Sequence, residues 1–266
     1  MVPRRAFLPL ALAALLAVPA CSASDADPLT PSPSPQVEGS AGASSAPSSG
    51  ATEAELLLTE VTSGETSHVA LPHERLVPMW EEPRAGGSDF RFDSKNPRGG
   101  LTPMLIADAE LDDAGEFWLE VLLPIRPNGA SAWVRAADVR VLERRDRIEV
   151  DLSKRVLWHY RDGELVDRFS VGIGQPQYPT ATGTFYVWVK VPYADPSGPY
   201  GIYALGLSGF SPVISDWPSH GRMAVHGTPY ASNRGQAVSH GCVRVYNPEM
   251  QTLTRVPLGT PVIISR

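Results

Sequence analysis

The sequence predicts a mainly-β protein made of two consecutive small domains behind a non-globular N-terminal stretch. Three observations carry that expectation. Short runs rich in Val, Ile, Leu and aromatic residues recur from about residue 66 to the C-terminus, bounded by Gly, Pro, Asn or Asp. Several of these runs alternate apolar with polar residues, the period of a half-buried strand. Prolines (26) and glycines (23) are dense enough in 266 residues to interrupt long helices. Helix signals are confined to 51–58 and to a stretch beginning at Asn247.

Residues 1–21 have the build of an export signal. Arg4 and Arg5 form a charged start, 6–18 a short apolar core, and Val18-Pro19-Ala20 the small-residue end before Cys21. The apolar core is shorter than the roughly 20 residues a membrane-spanning helix needs. Arg4-Arg5-Ala6-Phe7-Leu8 resembles a twin-arginine export motif. Val18-Pro19-Ala20-Cys21 resembles a bacterial lipobox, which implies lipidation of Cys21 and a membrane anchor facing the cell wall. Residues 22–60 follow as an expected disordered Ser/Pro/Ala tether, because so few bulky apolar residues cannot offset the entropy of ordering.

The first domain is expected over 66–144. Leu76 to Trp80, Pro103 to Ile106, Phe117 to Val121 and Ala132 to Val134 read as short strands separated by turns such as Arg126-Pro127-Asn128-Gly129. Phe117-Trp118-Leu119-Glu120-Val121, the Pro-Asn-Gly turn and Ser131 to Val139 together resemble a bacterial SH3-like β-barrel. Trp80, Trp118 and Trp133 are read as core, and no residue of this domain as a ligand contact.

The second domain, 146–266, opens with the alternating strand Ile148 to Leu152. A hairpin turn follows at Arg161-Asp162-Gly163, then strands at 165–173 and 184–191. Residues 195–210, with Tyr200 and Tyr203 among four glycines, read as a loop over the site, and Trp217 and Tyr230 as residues near it. Met223-Ala224-Val225 is a short strand that delivers His226 to its end. Asn247-Pro248-Glu249 reads as a capped helix start, with the helix running to about Val256 before a last strand at 261–265.

Within that domain Ser239-His240-Gly241-Cys242-Val243-Arg244 holds the only cysteine besides Cys21. A thiol of pKa about 8.5 needs a partner to react near neutrality, and His226 and His240 are the candidates to take its proton. Gly241 lets the backbone approach a substrate. A lone thiol in an exported protein invites oxidation, so its presence suggests a use.

The order Val171-Gly172, Pro179-Thr180-Ala181-Thr182-Gly183-Thr184-Phe185, His226-Gly227-Thr228 and Ser239 to Arg244 resembles the YkuD-type L,D-transpeptidase catalytic domain over about 120 residues. The twelve residues between His226 and Ser239 are few for that family, and Arg244 stands where many members carry Asn. The resemblance implies a β-rich catalytic domain with a short helix, acting on peptidoglycan stem peptides. Cys242 would take the acyl group of a tetrapeptide donor as a thioester, and an amine acceptor would resolve it into a 3→3 cross-link. His226 is then the base, His240 an orienting or proton-sharing partner, and the Gly227 carbonyl the group that fixes the tautomer. Backbone N–H groups around Gly241 and Cys242 are the expected oxyanion donors. Arg244 is either a bidentate partner for a substrate carboxylate or a structural ion pair. Ser239, Thr228 and Tyr203 complete the substrate-binding candidates.

A net charge of −6 and the lack of any basic tract disfavour a nucleic-acid partner. His226, His240 and Cys242 could in principle ligate zinc, but no fourth cysteine or histidine sits at ligand spacing, His220 being the only candidate nearby, and no metal or cofactor is expected. Hydrolysis of the thioester by water, making a carboxypeptidase, and a non-catalytic wall-binding lipoprotein remain the alternatives.

Overall fold

The computed structural model describes residues 53–63, 66–216 and 218–266. The export signal, Cys21 and the first part of the expected tether lie outside the described residues, as does Trp217. The described chain belongs to one compact unit.

Helix α1 (Glu53–Ser63) comes first. It occupies the last residues of the expected 22–60 tether and runs past the 51–58 helix signal. The reason is apolar: Leu57, Leu58 and Val61, spaced to share one helical face, pack on the core of the N-terminal sheet. That burial offsets the ordering entropy the tether reading had left unmet.

The N-terminal half contains β1 (Ser67–Pro72), β2 (Leu76–Met79), β3 (Phe90–Asp93), β4 (Met104–Leu111), β5 (Phe117–Leu122), β6 (Ser131–Arg135) and β7 (Val139–Arg144). Five of these form an antiparallel sheet in the order β6-β5-β4-β1-β7, while β2 and β3 pair as a hairpin. Trp80, just past β2, bridges to Trp133 of β6 and so joins the hairpin to the sheet. Trp80 and Trp118 are buried edge to face at 5.0 Å, a geometry that favours aromatic pairs. Both are core, as their apolar neighbours in sequence suggest.

The C-terminal half contains β8 (Asp146–Asp151), β9 (Val156–Arg161), β10 (Glu164–Ser170), β11 (Ile173–Gly174), β12 (Gly183–Pro192), β13 (Tyr203–Phe210), β14 (Arg222–Thr228), β15 (Ala237–Ser239), β16 (Val243–Tyr246), α2 (Asn247–Leu253) and β17 (Pro261–Ser265). Eight strands make one sheet in the order β10-β9-β8-β17-β12-β13-β14-β16, with β11 and β15 paired beside it. Two of its neighbours, β17–β8 and β14–β16, run parallel. Ile148, Val150, Phe185, Val187, Leu205, Leu207, Val225 and Val243 build the core, which Met250 and Leu253 of α2 cover.

Two sequence expectations change here. Residues 203–210 are a buried strand, so the expected 195–210 loop is limited to its first part. Asn247 does not cap α2, which has no side-chain cap and ends at Leu253 instead of Val256. Its Oδ1 accepts the Ile202 N–H (3.2 Å) and its Nδ2 donates to the Pro196 carbonyl (2.8 Å), tying the preceding loop to the helix start.

The halves share a third apolar cluster in which Tyr186 of β12 packs on Val69 and Leu105, with Leu122, Leu142 and Trp188 around it. The Tyr186 hydroxyl donates to the Leu122 carbonyl (3.2 Å), and Arg144 Nε donates to that of Leu258 (2.7 Å).

Candidate active site

The parallel pairing of β14 with β16 sets the site. Val225 lies opposite Val243 and His226 opposite Arg244, so Cys242, one residue before β16, comes beside the His226 strand. Cys242 and His226 line one cavity of about 280 Å³ with Tyr200, Ile214, Met223, Ser239, His240, Gly241 and Arg244. The sequence-predicted nucleophile and base are therefore brought together from sixteen residues apart.

The turn before the cysteine is held by Ser239. Its hydroxyl donates to the Cys242 carbonyl (2.6 Å) and accepts the Gly241 N–H (3.1 Å). Gly241 has φ +115°, a region that L side chains rarely adopt, so glycine is needed for backbone reasons as well as access. The Gly241 N–H, one of the expected oxyanion donors, is thus engaged by the Ser239 hydroxyl. Ser239, 1 % exposed, holds this turn while lining the cavity.

His226 is 3 % exposed, and its Nδ1 lies 2.8 Å from the Gly227 carbonyl. A carbonyl only accepts, so Nδ1 carries the proton and Nε2 the lone pair. Burial pushes the imidazole down to about 4, with the Arg244 charge adding to the fall and the Gly227 bond opposing it. Gly227 cannot be enlarged easily, since a Cβ there would stand 2.5 Å from Asn247 Oδ1. Edge-on to the imidazole sits Tyr200 (5.1 Å between centroids), which Tyr193 stacks upon at 5.2 Å.

His240 is exposed and lies against Tyr178, 4.7 Å between centroids. It shares the cavity with the thiol from its solvent side. Arg244 donates from Nη1 to Asn233 Oδ1 (3.2 Å), and its buried Nε has no hydrogen-bond partner among the described residues. Among the described residues no acidic partner holds it, and its side chain lines the cavity beside Cys242.

Two further candidates are placed elsewhere. The Thr228 hydroxyl donates to Asn233 Oδ1 (3.2 Å) and accepts the Tyr230 N–H (3.3 Å), a structural role. Tyr203 begins β13 opposite Pro192 and packs on the core; the tyrosine in the cavity is Tyr200. Tyr230 is exposed and outside the cavity lining. Residues the sequence reading missed are Tyr193, Asn247, Asn233, Ile214 and Met223. Among them only Asn247 carried a signal, its position before a proline, and that signal pointed to a cap.

The Cys242 thiol is pushed up by burial, against the lowering effects of the Ala224 backbone N–H and the Arg244 charge. With its pKa pushed down to about 4, His226 is neutral near pH 7 and offers a thiolate no positive charge. Below its own pKa the thiolate fraction rises tenfold per pH unit. Alkylation of Cys242 by iodoacetamide is therefore expected to climb from pH 6 through pH 9 without a plateau; a flat rate between pH 5 and 8 would mark a preformed ion pair instead.

Residues 145–264 match the family model of the YkuD L,D-transpeptidase catalytic domain. Similar proteins include YkuD of Bacillus licheniformis, 35% identical over 120 residues, and YkuD of Bacillus subtilis, 31% identical over 120 residues. Each match covers 45% of this chain and 65% of the relative, just under two thirds of its length. Among solved structures, the catalytic domain of the E. faecium L,D-transpeptidase is 28% identical, covering 45% of this chain and 96% of that one at a TM-score of 0.34.

Proposed function

We propose that the chain is an exported peptidoglycan L,D-transpeptidase that forms 3→3 cross-links through a thioester on Cys242. The observation that carries it is the pairing of Cys242 and His226 in one cavity, inside the segment that matches the L,D-transpeptidase catalytic domain. Cys242 Sγ attacks the carbonyl before the terminal D-alanine of a tetrapeptide stem. His226 Nε2 takes the thiol proton and delivers it to the departing D-alanine nitrogen, leaving a thioester. The developing oxyanion lies within reach of the Cys242 N–H. An amine from a second stem then attacks the thioester, gives a proton to His226, and restores the thiol as the amide forms.

Arg244 holds a donor carboxylate, and the Tyr193–Tyr200 pair walls the cavity on the side of the base. The N-terminal sheet belongs to an SH3-like module, and Cys21 carries a lipid that keeps the enzyme at the membrane, facing the wall.

Incubation of residues 51–266 with disaccharide tetrapeptide, followed by product mass, tests the reading. Cross-linked dimer with loss of D-alanine supports it. Tripeptide alone makes the chain a carboxypeptidase, and wall binding without turnover makes it an anchor.

A further inference from the structure

The turn from Pro124 to Asn128 in the N-terminal half reaches across to the segment that walls the cavity. Arg126 Nη1 donates to the Ser211 carbonyl (3.1 Å), and Nη2 donates to those of Ile214 (2.8 Å) and His220 (3.0 Å). Its guanidinium carbon lies 4.6 Å from the centroid of the Phe210 ring. Asn128 Nδ2 donates to the Phe210 carbonyl and Oδ1 accepts the Phe210 N–H, both at 2.8 Å. One side-chain amide thus satisfies both backbone groups at the end of β13, as a neighbouring strand would. Arg222 returns the contact, donating from Nη2 to the Pro124 carbonyl (3.0 Å).

On the other side of this seam, Ile214 and Gly221 line the cavity with Cys242 and His226. The wall is closed by the Ser211 N–H on the Gly221 carbonyl (2.7 Å) and by the Ser211 hydroxyl, which accepts the Val213 and Ile214 N–H groups. Gly221 has φ +72°, and a Cβ there would stand 2.0 Å from the Ile214 carbonyl oxygen. The two arms of the wall are pressed together, and Arg126 grips a carbonyl on each arm.

We propose that Arg126, assisted by Asn128, is a positioning residue for acyl transfer: from the N-terminal half it fixes the part of the cavity wall made by Ile214 and Gly221, which orients the acyl donor against Cys242. The inference rests on the reading of Cys242 as the acyl-accepting thiol, and it makes the N-terminal half part of the working enzyme. Three hydrogen bonds from one cationic donor are stronger than neutral ones. A misplacement of about 1 Å in such a wall costs up to about 10²-fold in rate.

The test uses the full chain and its Arg126→Ala, Arg126→Lys and Asn128→Ala variants. In Arg126→Ala, amide exchange at Val213 and Ile214 is expected to quicken, while Leu205 and Val225 in the core keep theirs. The kcat/KM for disaccharide tetrapeptide should fall about tenfold or more, with iodoacetamide alkylation of Cys242 nearly unchanged. Lysine should rescue only in part, because one ammonium nitrogen cannot serve carbonyls met by two guanidinium nitrogens. Unchanged exchange at 211–214, or unchanged kcat/KM, overturns the proposal. So does faster exchange across both sheets in all three variants, which would make the turn a general structural element. A parent chain with no turnover sinks the transpeptidase reading, while the exchange result still decides whether Arg126 fixes the wall.

Discussion

Cys242→Ala is expected to abolish acyl transfer, a loss on the order of 10⁶-fold by analogy with removal of other covalent nucleophiles. In the proposed mechanism the side chain forms the bond that carries the acyl group, so nothing nearby replaces it. Ser239, the nearest hydroxyl in sequence, is buried and committed to the Cys242 carbonyl and the Gly241 N–H. The fold should survive. Cys242 lines the cavity, so its truncation enlarges that space and leaves no sealed void in the core. Product mass from tetrapeptide, with a thermal melt as the control, checks both halves of this expectation. Residual cross-linking within tenfold of the parent would place the nucleophile elsewhere.

His226→Ala should cost about 10²–10⁴-fold in acylation, the range for loss of a positioned general base. The thiol is pushed up by its surroundings, so it needs a base at the moment of attack more than an ordinary cysteine does. His226 is suited to this because the Gly227 carbonyl fixes its tautomer and its depressed pKa keeps it neutral across the physiological range. The same depression limits its strength as a base, so the proton it takes must pass on promptly to the leaving nitrogen. His240→Ala should cost far less, since that ring is exposed and rests on Tyr178. Single-turnover acylation of both variants separates the two histidines; a dead His240→Ala with a near-normal His226→Ala would exchange their roles.

Much of this was legible in the sequence because the signals are local. Alternation in Ile148 to Leu152 marks a half-buried strand whatever surrounds it, and Ser-His-Gly-Cys places a thiol on a turn only glycine can make. The choice between Tyr200 and Tyr203 was not legible. Three residues apart among the same glycines, they diverge because Tyr203 enters β13 while Tyr200, before the left-handed Gly201 (φ +59°), meets the His226 ring. The role of Asn247 was hidden for a related reason. Its pattern fits a helix cap, but its partners, Pro196 and Ile202, lie far back in the chain. Engagement of the Gly241 N–H by Ser239 is a matter of a rotamer, which a motif does not record. The Arg126 seam joins residues more than eighty positions apart, beyond any local pattern.

The claim that Cys242 carries the acyl group is tested most directly by the intact mass of the chain quenched in acid during turnover of disaccharide tetrapeptide. The expected result is a covalent adduct equal in mass to the donor less D-alanine, mapped to the peptide containing Cys242 and cleared by added amine acceptor. Turnover with no adduct on Cys242, or an adduct on another residue, would contradict it.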